Sequence, residues 1–330
     1  RVGSNVYAFE VLKALAELPE LRQEAVVTVL LSSPPVVDLP PQRDGWQYQV
    51  LKPQKLWTQF ALPLHLWLNP HRYDVLYTPG HYAPRWSSIP YISSVMDVAY
   101  YEYPEQFRAN DLLQLREWTA YSVKNAAKVV AISKATRAAV VKYLHRLSSD
   151  IVLGYPALPE LVPNLNVKES KALCKKLKLQ EPYFLYVGTL QPRKNVVRLV
   201  HAYDLLIEKL QKSRRKVVLP QLVLAGKIGW MAEDTLAAVQ QSPFRERITL
   251  TGYVSEAEKQ YLLQNAVASV LVGLYEGFGI PPLESLRLGT IPVVSNTTSL
   301  PEVVGKAGIL VDPLDEKDIA EGLEKAWSLT

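Results

Sequence analysis

Short runs of apolar, mostly β-branched residues alternate with longer amphipathic segments along the whole chain. EAVVTVLLS, DVLYTP, IPYISSV, AKVVAIS and DIVLGY read as strands in the first half; YFLYVG, QLVLAG, RITLTG, ASVLVGLY, TIPVVSN and GILVDP do so in the second. Between them, NVYAFEVLKALAEL, NDLLQLREWTAYSVKNA, KATRAAVVKYL, NVVRLVHAYDLLIEKLQ and EAEKQYLLQNA place apolar residues at helical spacing. Strands that are apolar at successive positions belong to parallel sheets covered by helices on both faces. The alternation breaks once, at GYPALPELVPNLNV, a proline-rich stretch without periodicity that reads as a linker. The pattern therefore predicts an α/β chain of two doubly wound domains, residues 1–160 and 161–330. Ligands of such sheets bind beyond the carboxyl ends of the strands, so two domains of this kind are expected to face each other across a cleft.

Composition adds limits. The 330 residues are 48% apolar and 21% charged, as in globular proteins. No apolar run approaches the ~18–20 residues that span a bilayer, and no secretory signal opens the chain. A single cysteine, Cys174 in the basic segment ALCKKLKL, forms no internal disulfide, fits a reducing cytoplasm and reads as part of an exposed helix. The chain starts at Arg1 and stops within a helical pattern, so both ends read as clipped. Net charge is +5, and from Trp118 to Ser149 there are cations but no acid: Lys124, Lys128, Lys134, Arg137, Lys142 and Arg146. Such a segment is a solvated helix face, or a patch for phospholipid headgroups or a phosphorylated substrate, with peripheral membrane association as the consequence. Nothing in it resembles a nucleic-acid reader. His65, His71, His145 and His201 show no metal-ligand spacing, and His81, after a strand in TPGHYAP, is a cleft candidate.

Candidate chemistry gathers where strands of the second half end. Four of them run into glycine-bearing turns: YVGTLQPRKN, VLAGKIGW, LTGYVSEAE and LYEGFGIPPLE. Glycine permits close backbone approach, which phosphate and sugar binding use. Arg193 and Lys194, just before a helix starting near Asn195, are suited to a pyrophosphate leaving group. No Asp-x-Asp pair occurs, so no metal is expected to carry the diphosphate. Glu276 follows a strand, Gly277 and Gly279 open the loop behind it, and Pro281 and Pro282 preset a helix start, with Glu284 expected in its first turn. Two carboxylates in one pocket accept paired sugar hydroxyls, although by spacing alone the two glutamates are a weak signal.

YEGFGIPPLESLRLGTIPVVSNTTSLPEVVG, together with GTLQPRKN and TGYVSEAE, resembles the donor-binding half of the family 4 retaining glycosyltransferases of GT-B fold. The likeness covers the second domain and extends more faintly through RVGSNVYAFEVLKAL, ISSVMDVAYYEYPEQF and VVAISKATRAAVVKYL. It implies two Rossmann-like domains, an acceptor-side one and a nucleotide-sugar one. It also implies that Glu276 contacts the transferred sugar and Glu284 the ribose, and that Arg193 and Lys194 hold the diphosphate. Gly188, Thr189 and Gly226 would line the donor site, the Gly277–Phe278–Gly279–Ile280 loop would present its backbone, and Gly252, Tyr253 and Val254 would lie near the base. Gly3 matches a glycine-rich loop near the phosphates, and Asp97 the acid of an acceptor-side His-Asp pair whose histidine is here Met96.

The resemblance implies transfer of a sugar from a nucleoside diphosphate to a hydroxyl of a saccharide or lipid-linked acceptor, without cofactor, in cell-surface polysaccharide or glycolipid synthesis. GFGIPPLE with SLPEVVG looks most like users of GDP-mannose, with UDP-glucose and UDP-N-acetylglucosamine as alternatives. A GT-B epimerase acting on a nucleotide sugar and a non-catalytic binding module are the rival readings. A nicotinamide dehydrogenase is excluded, because GTLQPR and GKIGWM lack the required glycine spacing.

Overall fold

A computed structural model describes residues 3–80, 82–213 and 218–329. The chain divides into two compact units, Arg1–Pro159 and Glu160–Thr330, one residue from the expected boundary. The division falls inside the proline-rich stretch, where residues 154–166 form no helix or strand. His81 lies outside the described residues.

The first unit runs α1 Ser4–Glu17, α2 Pro19–Glu24, β1 Val27–Leu31, β2 Trp46–Val50, α3 Ala61–Leu68, β3 Leu76–Thr78, β4 Tyr91–Val95, α4 Ala99–Glu102, α5 Ala109–Asn125, β5 Lys128–Ala131, α6 Lys134–Leu144 and β6 Ile151–Leu153. Its strands form two parallel groups, β3-β4-β5-β6 and β1-β2. The sequence pattern missed β2, because WQYQV buries only Trp46 and reads as polar. It missed α3 as well, because ALPLHLWL is apolar with no polar face to mark a period.

The basic segment is not one helix face, as expected for a solvated patch. It spans the end of α5, all of β5 and α6, and the turn after them. Lys128 and Arg146 both reach Asp150, at 3.1 and 3.2 Å. Arg137 donates to the Ser148 hydroxyl, and Arg146 also donates to the carbonyls of Lys124 and Ala126. These cations hold the unit together.

The second unit runs α7 Val167–Leu177, β7 Tyr183–Val187, α8 Val196–Lys212, β8 Gln221–Ala225, α9 Glu233–Gln241, β9 Ile248–Gly252, α10 Glu256–Asn265, β10 Ala268–Leu271, α11 Ile280–Arg287, β11 Ile291–Ser295, α12 Leu300–Val304, β12 Ile309–Val311 and α13 Glu316–Trp327. Capping boxes start α7, through Asn166 and Glu169, and α10, through Ser255 and Glu258. The strands form one parallel sheet in the order β12-β11-β10-β7-β8-β9.

Alternation along each strand explains the two covered faces. Phe184, Tyr186, Leu222, Leu224 and Val270 pack on one side against α8 and α13. Tyr183, Leu185, Val223 and Ala225 pack on the other against Leu173 and Leu177 of α7 and Leu262 and Leu263 of α10. The chain winds outward from β7 through β8 and β9, then returns across α10 to β10 on the other side of β7. Strand order therefore reverses between β7 and β10, and in open parallel sheets that switch point opens a crevice at the carboxyl ends of the strands.

Candidate active site

The loops leaving β7 and β10 meet at this switch point. The β7 loop places Arg193 and Lys194 in a tight turn, Pro192–Lys194, directly before α8. Asn195 caps that helix in the left-handed region, φ 58°, which asparagine tolerates better than most residues. Its buried amide donates to the carbonyls of Val272 (2.9 Å) and Pro313 (2.7 Å), tying the β7 loop to the chain beyond β10 and β12. No local pattern assigns Asn195 a role; an Asn following two cations at a helix start is the available signal.

Strand β10 ends at Leu271, earlier than the run ASVLVGLY suggests, and Val272–Tyr275 continue as buried irregular chain. Glu276 then folds back toward the β7 loop. Lys194 Nζ donates to both of its carboxylate oxygens, at 2.7 and 2.9 Å, and Arg193 Nη1 lies 3.6 Å from Oε2. Arg193 also donates to the Tyr275 carbonyl. A Cβ at Gly273 would lie 2.9 Å from Glu276 Oε1, so a larger residue there would press on the carboxylate. Although it stands in a loop after a strand, Glu276 is only 6% exposed. A carboxylate so buried needs its partners, so its substitution carries a folding cost that the sequence did not suggest.

The chain after β11 completes the framework. Thr298 Oγ1 accepts from the Glu276 N–H (3.2 Å), and the buried Ser299 hydroxyl donates to the carbonyls of Glu276 (2.8 Å) and Phe278 (2.7 Å). The loop Gly277–Phe278–Gly279 is accordingly buried rather than an open row of N–H groups. Gln191 Oε1 in the β7 loop and Thr297 Oγ1 in the chain after β11 are buried with no hydrogen-bond partner among the described residues.

Glu284 stands elsewhere in this framework. Gly279, at φ 110°, lets α11 begin at Ile280, so Glu284 falls beyond the first turn and does not serve the helix dipole as expected. It accepts instead from Lys259 of α10, at 2.7 Å, and Lys259 also meets Glu256 at 2.7 Å. Burial raises the Glu284 carboxyl above its ordinary value, with Lys259 opposing. Burial pulls Lys259 down, but Glu284 and Glu256 outweigh it and hold the ammonium above its ordinary value.

The remaining candidates line the other strand ends of this sheet. Gly188 and the exposed Thr189 follow β7, and Gly226 follows β8, where a Cβ would collide with the Gly188 carbonyl. Gly252 ends β9; beyond it Tyr253 is exposed with Lys227 Nζ 5.2 Å above its ring, and Val254 is buried. In the first unit, Gly3 caps α1 at φ 52°, and Asp97 Oδ1 accepts from the Ala99 N–H (3.1 Å) at the start of α4. His65 bonds the Tyr73 hydroxyl and His201 bonds Glu316. Among the described residues no group of three His, Cys, Asp or Glu side chains is arranged to hold a metal.

Comparison with known proteins matches residues 169–329, nearly all of the second unit, to the family described as glycosyl transferases group 1. The O-antigen chain mannosyltransferase B of Escherichia coli is 28% identical over 326 residues, covering 95% of this chain and 84% of the relative. A serotype-specific mannosyltransferase WbdA of the same organism is 32% identical over 208 residues, or 62% of this chain; that match spans a quarter (25%) of the relative's length. Among solved structures, a sucrose-phosphate synthase from Thermosynechococcus elongatus superposes with a TM-score of 0.68 at 19% identity, over 99% of this chain and 84% of its own. The domain match, the reversal of strand order at β7 and β10 and the fold likeness agree: the second unit is a domain of the family described as glycosyl transferases group 1, and the chain has the GT-B fold.

Proposed function

We propose that the chain is a retaining glycosyltransferase that moves mannose from GDP-mannose to a hydroxyl of a saccharide or lipid-linked acceptor, on the cytoplasmic side, in cell-surface polysaccharide synthesis. The observation that carries this reading is the cluster of Arg193, Lys194 and Glu276 at the switch point of the sheet. Mannose is supported by the relatives, whose names give them as mannosyltransferases of O-antigen chains or serotypes.

In this mechanism Arg193 and Lys194 hold the diphosphate and neutralise the charge that grows as the C1–oxygen bond of the donor breaks. The departing phosphate oxygen accepts the proton of the acceptor hydroxyl while the new C1–oxygen bond forms on the same face, so configuration is retained. Glu276 receives sugar hydroxyls and Glu284 the ribose diol, each as a carboxylate acceptor. The donor would supply hydrogen bonds to groups such as Gln191 Oε1 and Thr297 Oγ1. A double displacement with Glu276 as nucleophile is the weaker alternative, because a carboxylate shared between two cations is a poor nucleophile.

Proton NMR of the first product from GDP-mannose tests the proposal. An α-mannosyl product supports it; a β-linked first product, or turnover of UDP-glucose in its place, overturns it. No metal has a role in this scheme, so chelation leaves the rate unchanged, and a loss restored by magnesium or manganese would overturn that part.

A further inference from the structure

Helix α5 carries a stripe that a merely solvated face does not need. Its buried side is Thr119, Ser122 and Val123. Away from these, Asn110, Gln114, Trp118, Tyr121 and Asn125 recur at i, i+4, i+8, i+11 and i+15, one line on the helical period. The stripe is uncharged: two half-buried aromatic rings with exposed amides on either side of them. It runs about 22 Å at 1.5 Å per residue.

The loop between β3 and β4 adds two more rings. Tyr82 and Trp118 pack edge to face, with centroids 5.2 Å apart. The Ala83 N–H donates to the Ser122 hydroxyl (2.9 Å) and the Trp86 N–H to the Tyr121 hydroxyl (3.2 Å), so the loop is pinned to α5 at two points. The Arg85 guanidinium stands 5.2 Å over the Tyr121 ring. Trp86 is 76% exposed and adopts φ 58°, a left-handed conformation that bulky residues rarely take. An indole held in water on strained backbone adds little to the fold, and strain of this kind persists where function requires it.

The chemistry of the patch points to its ligand. Indole and phenol rings offer flat apolar faces with a polar edge, which match the C–H faces of sugar rings. Amides both donate and accept, as neighbouring hydroxyls require. Arg85 and Lys124 balance Asp111 and Glu117 around the stripe, so the surface favours neither an anionic bilayer nor a phosphorylated ligand.

We infer that the α5 stripe and Trp86 form a binding site for a neutral polysaccharide chain, several sugar units long. The site is built from the first unit alone and shares no residue with the cluster of Arg193, Lys194 and Glu276. It would retain a growing acceptor between successive transfers. The inference rests on the reading that the acceptor is a saccharide, and not on which sugar is transferred.

The test is affinity electrophoresis of the full chain in gels containing α-mannan or dextran, without donor. Wild-type protein is slowed by at least one polymer. Trp86→Gly removes the ring and suits the backbone at φ 58°, so the affinity falls about tenfold, the scale of one stacked ring. Its melting temperature stays at or above the wild-type value, because glycine adopts that conformation freely. Gln114→Ala lowers the affinity about threefold, and both variants bind GDP as the wild type does. Three results would overturn the inference: a wild type slowed by neither polymer, a Trp86→Gly variant slowed as the wild type is, or a wild type that sediments with phosphatidylglycerol vesicles or dimerises through Trp86. Because no donor is present, a chain that binds the polymer but transfers no sugar would overturn the transferase reading alone.

Discussion

A buried carboxylate, Glu276, and a partly buried one, Glu284, sit in neighbouring parts of the second unit, and each meets lysine at 2.7 Å, but their surroundings are inverted. Glu276 is one acid held by two cations, Lys194 and Arg193. Lys259 is one cation held by two acids, Glu284 and Glu256. The first arrangement gathers positive charge around the end of a parallel sheet, which suits an anion such as a diphosphate. The second leaves Glu284 sharing its cation, so burial prevails and the carboxyl is raised. Pairing alone does not define a site; which charge is in the majority decides what the site attracts.

Among single substitutions the largest effect on catalysis is expected at Glu276. Glu276→Gln keeps the shape and removes the charge, so turnover falls at least about tenfold, the scale of ~1.4 kcal/mol in the barrier. The same change leaves Arg193 and Lys194 without their carboxylate and costs about 3 kcal/mol of stability. GDP raises the melting temperature of this variant more than that of the wild type, because the diphosphate takes the place of the lost anion. Unchanged turnover with unchanged melting would mean that the cluster serves neither catalysis nor folding.

A smaller effect, with a pH signature, is expected at Lys259. If the ribose diol needs ionised Glu284, binding is complete above the folded pKa of that carboxyl and is lost as pH falls through it. Because that pKa is raised, the loss begins at higher pH than for an ordinary glutamate. Lys259→Met removes the opposing cation, so nucleoside binding fails at a higher pH still and weakens roughly fivefold at neutrality, the scale of one hydrogen bond. Titrations of guanosine across pH would show whether the midpoint moves upward; a fixed midpoint would separate Glu284 from the ribose.

Ser299→Ala gives the smallest change: about 1 kcal/mol of stability from the lost hydrogen bonds, with a modest fall in turnover as the Glu276 loop loosens. Thermal melts beside steady-state rates would reveal it.

The sequence made the second unit far more legible than the first. Strands such as YFLYV and QLVLA are buried at nearly every position, so composition alone exposes them. In β2 only one residue of five is buried, and α3 has no polar face, so neither left a period to read. The same contrast holds inside the site. Arg193, Lys194 and Glu276 were visible as charged residues after strands. Asn195, Ser299 and Lys259 act through contacts 77, 23 and 25 residues away, which no local pattern carries. The ionic pairing of Glu276 was equally hidden, since the β7 and β10 loops are 82 residues apart in sequence.

The central claim is that the two-cation centre receives a diphosphate. Calorimetric titration of GDP and of guanosine into wild type and into the Arg193→Ala/Lys194→Ala variant tests it most directly. The variant should lose about a hundredfold in GDP affinity, the scale of two charge-assisted hydrogen bonds, and bind guanosine as the wild type does. Full GDP affinity in the variant would contradict the assignment.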